Sequence, residues 1–310
     1  MICLFLYGLW PKVDDSLGDS QEKQHNEAVE KLKFSIRYKI LILLSAIPTI
    51  TLSLYLLVAS KIFEEDKVAY VFDSSVKMSG TVAAQVKTQL NSFLGISRPI
   101  FQDYAFNNRF TSTSRSVFEN EYGIESIAVF VREQQGSFKR ADVLEKIPGF
   151  VESFEKDYRN LPMIFAELEA RNRVAISPFA DDRIIIFEKF SDDVNKRTLL
   201  FMMTHKISEV AEIFKSASAQ KLYLADEKGD LLFSPEEGGG QKLQQIMSLD
   251  LKEKGTVAQG AEYTRSAQGE ELLASFAKVG FGDLYVVTSV SKSAAMQALE
   301  VLLRRSLIFF

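Results

Sequence analysis

Two histidines, one cysteine, the acidic pairs at 181–182 and 192–193 and a run of three glycines are the residues whose chemistry has to be weighed first. His25 and His205 lie far apart, and neither stands in an H-E-x-x-H or C-x-x-C spacing, so no metal site is predicted. No catalytic residue and no cofactor are assigned, because no nucleophile, base and orienting group occur together. His205, at a strand-to-helix junction, reads as a helix-start residue. Gly238 to Gly240 lacks the preceding strand, the following helix and the Lys-Ser/Thr pair of a phosphate loop, and reads as a plain loop. Asp181-Asp182 and Asp192-Asp193 lack the twelve-residue ligand spacing of a calcium loop and read as solvated turns.

Binding remains. A small-molecule site needs a few convergent polar groups among aromatics, between a sheet and its covering helices. In the first half of the exported region the residues that suit this are Tyr122, Arg132, Tyr158, Arg173 and Asp182; in the second half they are Tyr263, Arg265 and Asp283. For each, a surface or rim position competes with ligand contact. The 24 phenylalanines fall mostly at alternating or helical spacing and read as core.

The elements that must position these residues begin with Ile40 to Ser60, ILILLSAIPTITLSLYLLVAS, an uncharged run long enough for a transmembrane helix. Lys31, Lys33, Arg37 and Lys39 precede it, whereas Glu64, Glu65 and Asp66 follow, which places the N-terminus in the cytoplasm. Pro48 within the run predicts a kink, with Thr49, Thr51 and Ser53 near the freed backbone groups. A buried helix of a soluble domain and a cleaved signal peptide are the alternatives. Residues 1–39 read as a cytoplasmic segment, its first ten residues being either a loose tail or the product of a start upstream of the true one.

From Asp66 to Phe106 apolar residues recur at three- and four-residue steps, predicting a long helix that emerges from the membrane, weakened locally at Gly80 and Gly95. A Ser/Thr-rich stretch, Thr111 to Ser116, precedes a strand at Ile124 to Arg132 and a turn at Glu133 to Gly136. Ile147 to Asn172 has helical spacing split by Pro162. Val174 to Ile176, Ile184 to Phe190 and Thr198 to Thr204 predict strands, and His205 to Ala217 a connecting helix. The pattern then restarts: strands at Lys221 to Ala225 and Leu231 to Ser234, a brief helix at Leu243 to Leu249, and strands at Ala261 to Ser266, Glu271 to Val279 and Leu284 to Val290. That order predicts a five-stranded antiparallel sheet.

The sequence ends VLLRRSLIFF. Either these residues pack against the domain, or they open a second transmembrane helix in a chain that continues; the helical spacing from Ala294 to Leu303 favours continuation. The expected organisation is a cytoplasmic segment (1–39), a transmembrane helix (40–60), a membrane-emergent helix (64–110), a membrane-distal module (111–204), a linker helix (205–219), a membrane-proximal module (220–291), an outgoing helix (292–305) and the start of a second span (306–310).

In this order the chain resembles the double Cache sensor region of bacterial transmembrane receptors. The local signals are LYLADEKGDLLFSP, from Leu222 to Pro235, and AEYTRSAQGEELLASFAKVGFGDLYVVTSVSKSAA, from Ala261 to Ala295. The resemblance implies an α+β fold, with a transmembrane helix, a long helix and two PAS-like (Cache) modules of antiparallel sheets. It also implies a homodimer in the bacterial inner membrane, with residues from about 61 to 305 periplasmic, and a small-molecule ligand in the distal module. The distal motif of amino-acid-binding members does not stand here, so no ligand is carried over. KFSIRYKI before the span and DKVAYVFDSS after it look most like receptors with a HAMP relay and a class III adenylate or guanylate cyclase output, none of which lies in these residues.

Composition agrees with a modular exported body. Of 310 residues, 46% are apolar and 25% charged, the net charge is -4, and the single cysteine, Cys3, precedes the apolar run, so the exported part holds together without disulfides. A collagen-like or disulfide-rich scaffold, a fully disordered chain and a strongly basic nucleic-acid binder are excluded. The expected function is the sensory region of a transmembrane receptor, without enzymatic activity of its own. The alternative is a membrane-anchored structural or interaction protein of the envelope that takes no small molecule.

Overall fold

The computed structural model describes residues 36–133, 136–157, 162, 164–166, 168, 175–179, 183–192, 195, 197–216, 220–235, 242–254 and 257–297. The chain divides into two compact units, Met1–Leu56 and Leu57–Phe310. Helix α1 (Ile36–Asn107) contributes to both.

In the first unit the described residues are helical, without a break at Pro48, and their large apolar side chains are exposed. A window of α1 is long and apolar enough to cross a membrane, with none of it buried in the protein. Thr49 and Thr51 donate their hydroxyls to the carbonyls of Ser45 and Ile47, each at 2.8 Å, so these polar groups are satisfied within the helix. That is the arrangement a hydrocarbon environment requires.

The second unit holds the rest of α1, then α2 (Ser112–Asn120), β1 (Ile124–Glu133), β2 (Lys139–Glu145), α3 (Phe150–Asp157), β3 (Ala175–Phe179), β4 (Arg183–Asp192) and β5 (Arg197–Lys206). After α4 (Ser208–Ser216) come β6 (Lys221–Asp226), β7 (Leu231–Phe233), α5 (Leu243–Ile246), β8 (Gln259–Arg265), β9 (Glu271–Lys278) and β10 (Leu284–Ser291). The strands form two antiparallel five-stranded sheets, ordered β2-β1-β5-β4-β3 and β7-β6-β10-β9-β8. Numbered within each sheet, both follow the order 2-1-5-4-3, and the two sheets share one connectivity.

Alternation along each strand sends successive side chains to opposite faces. In β5, Leu199, Phe201 and Met203 join a core with Leu90, Leu94, Phe101 and Tyr104 of α1, whereas Leu200 and Met202 join Val151 and Phe154 of α3 on the other face. In the second sheet Leu222, Leu224 and Val286 belong to the α1-side core, and Tyr223, Ala225, Tyr285 and Val287 to the outer one. Strands apolar on both faces, such as the IIIF of β4, are what a sheet covered on both sides demands.

Several sequence expectations need correction. The stretch from Thr111 contains a helix: Thr111 caps α2, its hydroxyl accepting the amide of Ser114 at 3.3 Å. Asp103 of α1 in turn accepts the hydroxyls of Thr111 and Ser114, which holds its carboxyl below the usual range. Strand β2 has no counterpart among the expected strands, because KRADVLE carries little β-forming character; among the described residues it is an edge strand paired with β1 alone. Gly80 and Gly95 leave α1 unbroken. The segment expected from 147 to 172 has α3 only to Asp157, with helical residues again at 162, 164–166 and 168. The brief helix from Leu243 stops at Ile246, where Met247 bridges to Ser266. Residues 292–297 are helical; the predicted loop at 238–240 and the terminal 306–310 lie outside the described residues.

Candidate functional site

The two sheets have the same strand order, so a site specific to one of them must come from what covers its outer face. Over the first sheet, the cover among the described residues comes from α3 and from Ile164, Phe165 and Leu168. Phe165 meets Phe130 of β1 at 5.3 Å and Phe138, just before β2, at 5.1 Å between ring centroids. Arg132 carries its guanidinium 4.9 Å from the Phe138 centroid. Phe150, at the start of α3, lies under the guanidinium of Arg183 at 5.9 Å.

Charge is built into this cover. Arg140 of β2 donates to Glu155 of α3 at 2.9 Å, and the other oxygen of that carboxylate, Oε1, is buried with no hydrogen-bond partner among the described residues. Burial pushes the Glu155 carboxyl up, against the pull of Arg140. Glu145, at the end of β2, accepts the amides of Gly149 and Val151 at 2.8 and 2.7 Å and so fixes the start of α3. Arg183 pairs with Glu125 across the sheet. The outer face of the first sheet therefore combines aromatic surface, two half-buried ion pairs and one under-satisfied carboxylate.

The second sheet is covered differently. Leu243, Met247, Leu249 and Leu251 are buried against Tyr223, Leu272, Phe276, Tyr285 and Val287. Its turn carries one unusual carboxyl, Asp226, whose Oδ1 accepts the amides of Lys228 and Asp230 at 2.9 and 2.8 Å. Burial, reinforced by the charge of Asp230, pushes Asp226 up to about 6 despite those bonds.

The residues singled out from sequence are only partly brought together. Arg132 is half-buried beside Phe138 on the outer face of the first sheet. Tyr122 stands 95% exposed in the turn before β1, with the ammonium of Lys146 6.0 Å from its ring. Tyr158, Arg173 and Asp182 lie outside the described residues. In the second half Tyr263 is 57% exposed on the edge strand β8, with Phe72 of α1 edge-on at 5.2 Å. Arg265, also on β8, is exposed, and Asp283 is half-buried in the turn before β10.

Three groups owe their interest to burial, which the sequence does not report. Glu155 reads there as one more surface carboxylate of a helix. Asp192, expected in a solvated turn, is instead buried and accepts the Asn195 amide and side chain and the Arg197 guanidinium, the latter at 2.7 Å. Those bonds hold its carboxyl low, with Asn195 the foremost contributor. Arg197 also donates to the carbonyl of Ala105, tying the β4–β5 turn to the end of α1.

His205, the third, does not start a helix: it lies in β5, opposite Ile124 of β1 and Ile184 of β4, and is 0% exposed. Its ring stacks on Phe93 of α1 at 4.2 Å, and Nε2 is 3.5 Å from the hydroxyl of Ser97. Nδ1 is buried with no hydrogen-bond partner among the described residues. Burial, with a smaller push from Lys146, lowers its pKa to about 3, so the imidazole is neutral.

Among the described residues no group of three or more His, Cys, Asp or Glu is placed to hold a metal ion. No protein-family model matches the sequence, and no curated protein sequence does. Solved structures do match. The periplasmic sensory domain of the Campylobacter jejuni chemoreceptor Tlp1 has a TM-score of 0.55 at 12% identity, covering 74% of this chain and 98% of that one. The ligand-binding domain of Mlp24, solved with asparagine, has a TM-score of 0.52 at 19% identity, covering 78% and 99%. At such identities the likeness shows the fold: a long N-terminal helix and two antiparallel sheets in the α+β architecture of Cache-like sensor domains.

Proposed function

We propose that this chain is the sensory region of a transmembrane receptor, with residues from about 61 onward outside the cytoplasmic membrane and a small-molecule site on the outer face of the first sheet. The single observation that carries the reading is the contrast between the two covers. One sheet is covered by the buried aliphatic side chains of Leu243, Met247, Leu249 and Leu251, packed on Tyr223, Phe276 and Tyr285. The other is covered by aromatics and the Arg140–Glu155 pair, with a buried carboxylate oxygen left unpaired among the described residues. An unpaired buried acceptor is costly, and a ligand carrying an ammonium, amide or hydroxyl donor would satisfy it. Arg132 and Arg140 suit a carboxylate on the same molecule, so amino acids and related amino or amide compounds are the class to try first.

Binding would act on the rest of the protein only through a difference in affinity between two states. The α1-side core, which contains residues of α1 and of both sheets, is the contiguous packing through which such a difference would reach the membrane helices. In this proposal the chain works as a homodimer and passes its signal to a HAMP relay and a class III cyclase. Reading the coding sequence past Phe310 tests that part: a continuing apolar run followed by a HAMP-like helix supports it, and a stop codon there counts against it.

The binding proposal is tested by thermal shift on the full chain with a panel of amino acids, amines and small carboxylic acids. A true ligand raises the melting temperature with the logarithm of its concentration. Glu155→Gln should abolish that rise, whereas Arg265→Ala should leave it intact. If no compound in the panel shifts the transition, the envelope interaction protein becomes the better reading.

A further inference from the structure

The chain leaves the second sheet beside α1. Lys292 is the first helical residue after β10, and its ammonium lies 3.2 Å from the carboxylate of Glu271 on β9 and 3.5 Å from that of Glu64 on α1. The same ammonium is 6.0 Å from the ring of Tyr263, which Phe72 of α1 meets edge-on. Beneath these charges is a small apolar cluster: Val68 of α1, Leu273 of β9 and Met296, with Val71, Phe72 and Ala295 packed on it. It is separate from the two larger cores of this sheet. Ser291 adds a cap, its hydroxyl accepting the amide of Ala294 at 3.4 Å.

Segment 292–297 is thus held to α1 by the Lys292–Glu64 pair and a few apolar contacts, and to the sheet by the Lys292–Glu271 pair and by the Ser293 hydroxyl, which donates to Glu270 at 3.3 Å. The carboxylate of Glu271 and then that of Glu64 favour the charged lysine and raise its pKa, so Lys292 stays cationic across the whole neutral range. All three charged side chains reach solvent: 30% of the Lys292 side chain is accessible, 46% of Glu64 and 56% of Glu271. An ion pair so placed is weak and is screened by salt. Weakness makes it adjustable.

We propose that Lys292 is an electrostatic latch that docks segment 292–297 on α1, and that the docking loosens as ionic strength rises. The inference rests on the packing of the second sheet alone and is independent of any ligand. Because Glu64 belongs to α1 and Glu271 to β9, the latch ties the outgoing segment to both the incoming helix and the sheet. Loosening it frees that segment while leaving the larger cores intact.

Hydrogen exchange on the full chain in nanodiscs of zwitterionic lipid tests this, read at the amides of 292–297 against those of β9 and β10. In the unmodified protein, exchange at 292–297 should quicken about two- to fivefold between low salt and roughly 0.5 M salt, with the strands unchanged. Lys292→Met keeps the apolar stem. It should exchange fast at all salt concentrations and lose the salt dependence. Glu64→Gln should fall between the two. Salt-independent exchange in the unmodified protein, or a Lys292→Met variant that keeps the full salt response, would overturn the latch.

Discussion

The two sheets share one connectivity and differ in what covers them. In each, the fifth strand lies between the first and the fourth, one face belongs to the core that α1 shares, and the other is covered by the segment linking the second and third strands. In the second sheet the described part of that cover is aliphatic, packed on Tyr223, Phe276 and Tyr285 of the strands. In the first it brings rings and charges to the sheet and leaves a carboxylate oxygen short of a donor among the described residues. In the proposed reading one scaffold thereby serves two roles, the covering segment deciding whether a face is filled or offers groups to a ligand.

The contrast breaks most readily at the covers themselves. Leu249 is buried at 1% exposure, so Leu249→Ala should cost about 2–5 kcal/mol in urea unfolding. Phe165 is only half-buried, and Phe165→Ala should cost less than about 2 kcal/mol. Equal losses would mean that both covers are core and that the first has no special standing.

Acid should pull the two sheets apart. The folded pKa of His205 is near 3 against an ordinary 6.5. Its contribution is therefore complete above pH 6.5 and is lost as the pH falls toward 3. Asp226 is raised from 3.8 to about 6, so its contribution is complete below 3.8 and is lost as the pH rises through 6. Between pH 7 and pH 5 the first sheet should lose about 2 kcal/mol through His205 and the second should gain about 1 kcal/mol through Asp226. Hydrogen exchange resolved by sheet measures both. His205→Gln should flatten the first slope alone, and Asp226→Asn the second.

A smaller test lies on α1. A Cβ at Gly95 meets nothing within 4 Å, so Gly95→Ala should stabilise the helix by about 0.5–1 kcal/mol. At Gly80 the added methyl comes to 3.2 Å from the Gln259 side chain on β8, and Gly80→Ala should gain less. A larger gain at Gly80 would say that β8 gives way more easily than its position implies.

Most of the architecture is legible in the sequence because it rests on periodicity. The long apolar spacing of α1 and the continuous apolar runs in β4, β5, β9 and β10 are direct consequences of burial on one helical stripe or on two sheet faces. What escapes depends on partners distant in sequence. Strand β2 exists because β1 needs a neighbour, and nothing in KRADVLE announces it. The stretch from Thr111 turns helical through a cap tied to Asp103. His205, Glu155 and Asp192 owe their interest to burial, which neighbours in sequence do not report. Of the ligand residues expected from sequence, Arg132 lies on the chosen face, and Tyr122 shows why aromatic type alone is a poor guide.

The strand order has one more consequence, for how the molecule is made. In each sheet the middle strand is the last to leave the ribosome, so the β1–β2 and β3–β4 hairpins can form early but stay separate until β5 slides between them. Ile124 pairs with His205 only across a long intervening chain, and pairings of that kind are slow. The buried stripe of α1 must wait still longer, first for β5 and then for β10, although it is translated before either. Assembly of this unit thus comes in two late insertions, at Lys206 and at Ser291, and the first sheet can be finished while the second is still being synthesised.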